Sequence, residues 1–219
     1  QATDYTPLGL VNFDPAAFHV AADSEWDDAA TALEAIKSQP AGTYKTSGMG
    51  AGAAYHLAFA GFLKANDVDP LLVTHVPSQG AAPGFQELAS GGVQIIPSSL
   101  PEGVSMMQAN RSKPIAVLSE ERSEAFPDVP TVEEATGVPF AGGTWRGAVG
   151  PEGLEPEVAA KLSDAVAAVA ASEEFTSFMT ENGFGAPAYG PEEFEQFLAD
   201  QHASVGVIMN DLGLAQRQE

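Results

Sequence analysis

A short expected strand at residues 43–46 opens directly into Thr46-Ser47-Gly48-Met49-Gly50-Ala51-Gly52-Ala53, and a helical pattern follows as far as Ala65, next to Asn66. Three glycines within five residues leave room for little but a tight turn between a strand and a helix, because glycine takes strained backbone conformations without steric cost. The alternation repeats. Further strands are expected at 8–12, 18–20, 71–76, 93–96, 114–118 and 145–149, each bounded by turn residues. Ser24 is expected to cap a helix carrying Trp26, Ala29, Ala30, Leu33 and Ile36 at the 3.6-residue period, and helices are expected at 83–88 and 102–108. Over the first 150 residues this order implies an α/β fold with a largely parallel sheet covered on both faces.

The C-terminal third differs. A helix over 156–171 places Val158, Leu162, Val166 and Val169 on one expected core face, and a shorter helix over 173–182 ends at Gly183. A long helix over 191–212 presents Phe194, Phe197, Leu198, Val205, Ile208 and Leu212. Too few strands surround these helices to complete a second lobe.

The glycine turn is also the strongest chemical signal. The first turn of a helix leaves its N–H groups unpaired, and aligned peptide dipoles add partial positive charge there. Such a junction seats an anion without a basic side chain. That suits a chain with 9 Lys+Arg, 30 Asp+Glu and a net charge of -21. The same balance argues against nucleic acid and against an anionic membrane surface. It fits a solubility adaptation, for example to salt, better than a specific cationic partner. Without cysteine there is no disulfide, thiol catalysis or ordinary structural zinc. No apolar run reaches the ~20 residues that span a bilayer. The chain starts at Gln1 with no signal peptide, which reads as a processed or excised end.

Two more junctions join the first. Gly80 and Ala81 precede a helix after His75-Val76-Pro77-Ser78-Gln79, and Ser98-Ser99 leave a strand ahead of Glu102. Ligands in open α/β sheets collect at such strand ends; Ser98 fits a helix cap as well. Gly48, Gly50 and Ala53 satisfy G-x-G-x-x-[GA], yet His75-Val76-Pro77 stands where a dinucleotide site needs an acid. His56 reads as a helix histidine bonded to a neighbouring loop, while His19, His75 and His202 make no metal-ligand spacing. Arg146 is open between a bidentate carboxylate clamp and a surface ion pair. Nucleophile elbows, Walker loops and S-x-x-K are absent, and Glu120-Glu121 and Glu133-Glu134 read as solvated surface.

Five passages together resemble the substrate-binding proteins of the tripartite tricarboxylate transporters, also called Bug receptors. They are Tyr5-Thr6-Pro7-Leu8-Gly9-Leu10-Val11; the T-S-G-x-G-x-x-x-H-L loop from Thr46 to Leu57; His75-Val76-Pro77 with Gly80-Ala81-Ala82-Pro83; Pro127-Asp128-Val129-Pro130-Thr131-Val132-Glu133-Glu134-Ala135; and Trp145-Arg146-Gly147 with Gly150-Pro151-Glu152-Gly153-Leu154. The resemblance implies a type II periplasmic-binding-protein fold of two α/β lobes. Residues 12–146 would form the second lobe, and 1–11 with 147–219 would supply a crossover strand and helices of the first. It further implies a periplasmic receptor for a di- or tricarboxylate, citrate-like acids favoured, that delivers to membrane subunits of a transporter. It carries no cofactor, no metal and no catalysis.

The ligand residues implied are Thr46, Ser47, Gly48, Gly50, Ala51, Gly52, Ala53, His56, Gly80, Ala81, Ser98, Ser99 and Arg146. Three departures stand out. Ser78-Gln79 replaces the family's Tyr-Lys, Ser98-Ser99 replaces Asp-Asn, and the opening of the first lobe, with its P-G-G loop, has no counterpart before Gln1. An orphan receptor signalling to a sensor kinase, a hydrolase on the same loops and an inactive fragment are the alternatives.

Overall fold

Strands and helices follow the hydrophobic periodicity in the computed structural model, which describes residues 4–215. The strands are β1 (Tyr5–Pro15), β2 (Ala17–Ala21), β3 (Tyr44–Thr46), β4 (Val73–His75), β5 (Ile96–Ser98), β6 (Ser112–Val117) and β7 (Gly143–Pro151). The helices are α1 (Ala29–Ser38), α2 (Ala54–Ala65), α3 (Ala81–Ala89), α4 (Leu100–Gln108), α5 (Val132–Thr136), α6 (Pro156–Ala170), α7 (Glu173–Glu181) and α8 (Pro191–Asp211). The chain divides into two units: one takes Pro15–Thr144 and the chain from Ile208 onward, the other takes the chain up to Asp14 and Trp145–Val207.

The larger unit is built on β2. It pairs with β5 and with β6, antiparallel to both, so that Phe18 faces Pro97 on one side and Ala116 on the other. β3 and β4 pair in parallel, and a parallel bridge from Thr46 to Ile95 carries that pair to the start of β5. The parallel relation expected from strand–helix alternation therefore holds between β3 and β4, and β2 is the exception. β3 and β4 are joined by the helical crossover, α2, that a parallel pair requires, whereas β2 enters straight from β1 with only Ala16 between them and no helix before it. Phe18 meets Phe59 and Phe62 edge to face, with ring centroids at 5.1 and 6.2 Å, inside a cluster that includes Leu33, Ile36, Ile95 and Ile115. A second cluster gathers Phe85, Leu88, Val93 and Ile96.

Two local starts differ from expectation. Asp28, not Ser24, caps α1: its carboxylate accepts the Thr31 amide at 2.7 Å, and Ser24 Oγ accepts from the Trp26 amide instead. Asp28 stands immediately before the first helical turn, the position where a side-chain oxygen reaches the orphan amides. The Pro127–Ala135 passage contains a short helix, α5, that the periodicity misses at five residues. Thr131 Oγ1 accepts the Glu134 amide and Glu134 accepts the Thr131 amide, a reciprocal capping box. Arg122 also bonds Glu134 and holds its carboxyl below the ordinary range. Glu134 lies on the exposed surface, as expected, and is engaged there in the cap and an ion pair.

In the smaller unit β1 and β7 pair. Trp145 lies 5.7 Å from both Phe194 and Phe197, edge to face, and Phe13 and Tyr189 reach Phe197 at 6.1 and 6.2 Å. The expected core face of α6 is largely exposed: Val158 at 44%, Leu162 at 43% and Val169 at 58%. Val166, against Gly9, and Ala159 are half-buried, and Ala170 is buried. A two-strand sheet offers too narrow a surface to cover more of it.

A Cβ at Gly147 would lie 2.4 Å from Phe194 Cζ and 2.9 Å from the Gly9 carbonyl oxygen. Gly147→Ala is expected to destabilise the smaller unit by about 1–3 kcal/mol through overpacking, read as a loss of urea midpoint followed by Trp145 fluorescence. His19, on β2, is fully buried, 5.0 Å from Phe85 and against Gly103, and neither ring nitrogen meets hydrogen-bond geometry. Burial lowers its pKa from 6.5 to about 4, with the Ser99 and Ser98 backbone opposing only in part. The unfolded chain therefore binds the proton first, and stability is full above pH 6.5 and falls as pH drops toward about 4. His19→Leu is expected to flatten that part of the acid loss in urea melts run across this window.

Candidate functional site

The Thr46–Ala53 turn leaves β3 at its C-terminal end and is fastened on every side. The Thr46 carbonyl accepts the Val76 amide at 2.7 Å, and the Ser47 amide donates to the Ile95 carbonyl at 3.2 Å. The Met49 carbonyl accepts two bonds, from the Ser78 amide at 2.9 Å and from His75 Nε2 at 3.1 Å. The Ala53 amide closes the turn on the Gly50 carbonyl at 3.2 Å, and Ala53 becomes the N-cap of α2. Gly48 and Gly52 hold φ values of 111° and 77°, the region that favours glycine.

What the fastening leaves over is a row of donors. Among the described residues, the amides of Gly48, Met49, Gly50 and Ala51 donate to no backbone carbonyl. Ser47 Oγ and Thr46 Oγ1 are buried with no partner. Gly50 and Ala51 are exposed, and a Cβ at Gly50 would meet nothing within 4 Å.

The second junction stands against the first. Gly80, at φ 133°, is the N-cap of α3, and Ala81 begins that helix. A Cβ on Gly84 would fall 2.5 Å from the Gly48 Cα and 2.7 Å from its amide nitrogen. The first turn of α3 therefore rests on the backbone of the glycine turn, at a distance that only a second glycine permits. Ser78 Oγ donates to the Gly80 carbonyl at 3.0 Å and fixes the approach to that helix. Two helix N-termini, those of α2 and α3, thus serve one short stretch of backbone, where donors and dipoles favour negative charge.

His56 is buried on α2, where its Nδ1 accepts the Gly52 amide at 3.0 Å. Its ring stacks on His75 with centroids 3.8 Å apart and planes 18° from parallel. Because His75 Nε2 must carry a proton to donate to the Met49 carbonyl, its Nδ1 is bare, and that atom is buried and unpartnered. Burial lowers the pKa of both rings; for His56, where the neighbouring imidazole adds to the effect, it falls to about 4.

Ser98 and Ser99 are wholly buried but turn inward to their own helix. Ser98 Oγ and Ser99 Oγ both donate to Glu102 Oε2, at 2.6 and 3.2 Å, and Ser99 is the N-cap of α4. The cap is therefore Ser99 and not Ser98, whose hydroxyl instead donates to the Glu102 carboxylate at this N-terminus. Arg146 lies in the smaller unit. Its Nη1 donates to Asp14 Oδ2 at 2.7 Å and to Asn12 Oδ1. The Asp14 carboxyl is 3% exposed, and its other oxygen accepts from Asn12 Nδ2 and the Gly185 amide. Arg146 thus pairs with a buried acid through Nη1, while 62% of its own side chain stays exposed.

The sequence reading overlooked His75, Gly84 and Ser78 as the supports of the turn. His75-Val76-Pro77 at a strand end was the available signal. A groove of about 550 Å³ lined by Asp23, Ser90, Asn110 and Arg111 sits where α3 and α4 finish and shares no residue with the turn.

Residues 1–214 match the family model described as "Tripartite tricarboxylate transporter family receptor". A protein from the tcbD–tcbE intergenic region of Pseudomonas sp. strain P51 is 29% identical over 190 residues, covering 86% of this chain and 55% of the relative. The chain thus spans little more than half that relative's length. A TctC solute-binding protein from Polaromonas superposes with a TM-score of 0.81 at 29% identity, covering 96% of this chain and 70% of the other. An R. palustris protein solved with adipate superposes at 0.79 with 24% identity, covering 98% and 70%. The fold is α/β and of the type II periplasmic-binding-protein kind. The chain belongs to the TctC family of tripartite tricarboxylate transporter receptors, a family of solute-binding proteins.

Proposed function

We propose that the chain captures an organic di- or tricarboxylate, with the carboxylate seated on the amides of Gly48, Met49, Gly50 and Ala51 beside the first turn of α3. The observation that carries this reading is the row of undonated amides in a turn otherwise fastened at Thr46, Ser47, Met49, Gly52 and Ala53. Backbone donors and two helix N-termini favour an anion without adding a lysine or arginine to so acidic a chain. Buried Ser47 Oγ and Thr46 Oγ1, which lack partners, supply further donors if the turn shifts on binding.

The family description supports delivery to the membrane subunits of a transporter, and a periplasmic location belongs to the same proposal. Among the described residues no helix is long and apolar enough to cross a membrane. Citrate-like acids are the favoured ligands on the Trp145-Arg146-Gly147 resemblance. Adipate, held by the R. palustris fold relative, makes a second probe.

Calorimetric titration of the chain with citrate, adipate and malate at neutral pH tests the reading. Saturable binding of one of them is expected, and no binding of any rejects the reading for this chain. Gly50→Val has open space for its Cβ. It is expected to leave the melting transition in place and weaken binding by about 1.5–3 kcal/mol, the worth of a charge-assisted hydrogen bond; unchanged affinity would remove the turn from the site. Gly84→Ala drives a Cβ into Gly48. It is expected to cost about 1–3 kcal/mol of stability and to weaken the same ligand, with amide chemical shifts of the turn reporting the displacement.

A further inference from the structure

We infer that His56 and His75 are positioning residues for the glycine turn and form a proton-sensitive brace: neutral, the stacked pair holds the turn in its binding shape, and protonation releases it. The inference rests on the proposed seat and extends it to regulation. Three observations converge. The rings stack at 3.8 Å, nearly parallel, in a contact that two neutral imidazoles tolerate and two imidazolium cations do not. Each ring also holds a different end of the turn: His75 Nε2 donates to the Met49 carbonyl, and His56 Nδ1 accepts the Gly52 amide.

With both rings neutral, the two bonds require both Nδ1 atoms to be bare. His56 Nδ1 must be bare to accept from Gly52, so a proton there sets donor against donor. His75 Nδ1 is buried without a partner, so a proton there enters a site with no acceptor, 3.8 Å from a second imidazole. Protonation of His56 thus costs the turn its anchor at Gly52, beside the amides of Gly50 and Ala51, while a charge on His75, whose Nε2 still donates to Met49, acts by straining the stack.

Among the described residues no carboxylate acts on the pair; the charge felt by His56 is that of His75, and at His75 the Met49 and Gly50 backbone opposes burial only in part. The other titratable groups on the surrounding elements are Tyr55 and Lys64 on α2, Tyr44 and Lys45 on β3, Asp69 ahead of β4, Glu87 on α3 and Asp211 at the end of α8. Lys64 and Asp211 pair with each other. Burial keeps both rings neutral through ordinary pH, so release belongs to acid, below the usual histidine range.

Bound carboxylate is therefore held firmly near neutrality and let go in acid. A simple attraction between imidazolium and carboxylate predicts the reverse, tighter binding as pH falls.

The test compares the wild type with His56→Asn/His75→Gln. Asn Oδ1 replaces the Nδ1 acceptor and Gln Nε2 replaces the Nε2 donor, so the variant keeps both bond types and cannot titrate. Without ligand, hydrogen exchange of the Gly52 amide is followed by NMR from pH 7 to about 4, with the Phe62 amide as the measure of global unfolding. Wild-type Gly52 is expected to lose protection roughly tenfold, about the worth of one hydrogen bond, while Phe62 holds and the variant stays level. Constant wild-type protection, or an equal loss in the variant, overturns the brace.

Adipate affinity over the same range gives the second reading, with the variant correcting for titration of adipate itself. The wild type is expected to weaken roughly tenfold more than the variant; an equal change, or tighter wild-type binding in acid, overturns the inference. If adipate, citrate and malate all fail to bind at neutral pH, the carboxylate reading falls, and the exchange of Gly52 still decides whether the brace exists.

Discussion

The carbonyl of Met49 accepts the Ser78 amide and His75 Nε2 at once. Those two bonds tie the middle of the glycine turn to the segment that follows β4. With that point fixed, the amides of Gly48, Met49, Gly50 and Ala51 are left without a neighbouring carbonyl to donate to. The rest of the arrangement serves the same end. Gly84 lets α3 rest directly on Gly48, Val76 clasps the Thr46 carbonyl, and Gly52 is held by His56. Rigid backbone donors keep their orientation before a ligand arrives, and preorganisation of this kind lowers the ordering cost of binding.

The glycines divide by what they touch. Gly84 and Gly147 are required by close approach, one to backbone and the other to the ring of Phe194. Gly48 and Gly52 are required by conformation. Gly50 is required by neither, since it has open space and an ordinary φ. Its lack of a side chain matters only if something approaches from outside, which makes it the most telling residue of the turn.

Several passages that resemble the family most clearly do structural work. Thr131 and Glu134 form a helix start, Gly147 accommodates Phe194, and Arg146 neutralises the buried Asp14. An acidic chain of net charge -21 that is to hold an anion has few cations to spare for the contact, which backbone donors can supply instead. The exposed apolar positions of α6, Val158, Leu162 and Val169, belong to the smaller unit, whose β1–β7 pair covers only a strip of that helix.

Local chemistry alone determined the α/β alternation, the glycine turn at the head of α2, the end of α7 before Gly183 and the aromatic face of α8 around Phe194. Each is set by near neighbours, through backbone freedom, capping and the 3.6-residue period. The direction of β2, the exposure of the α6 stripe, the inward turn of Ser98 and Ser99 toward Glu102 and the pairing of Arg146 with Asp14 were decided in three dimensions. So was the stack of His56 on His75, nineteen positions apart. A sequence gives each residue its chemistry and its phase along an element. Which partner stands opposite depends on how the elements pack, and with a buried serine or a lone arginine several partners satisfy the same local rules.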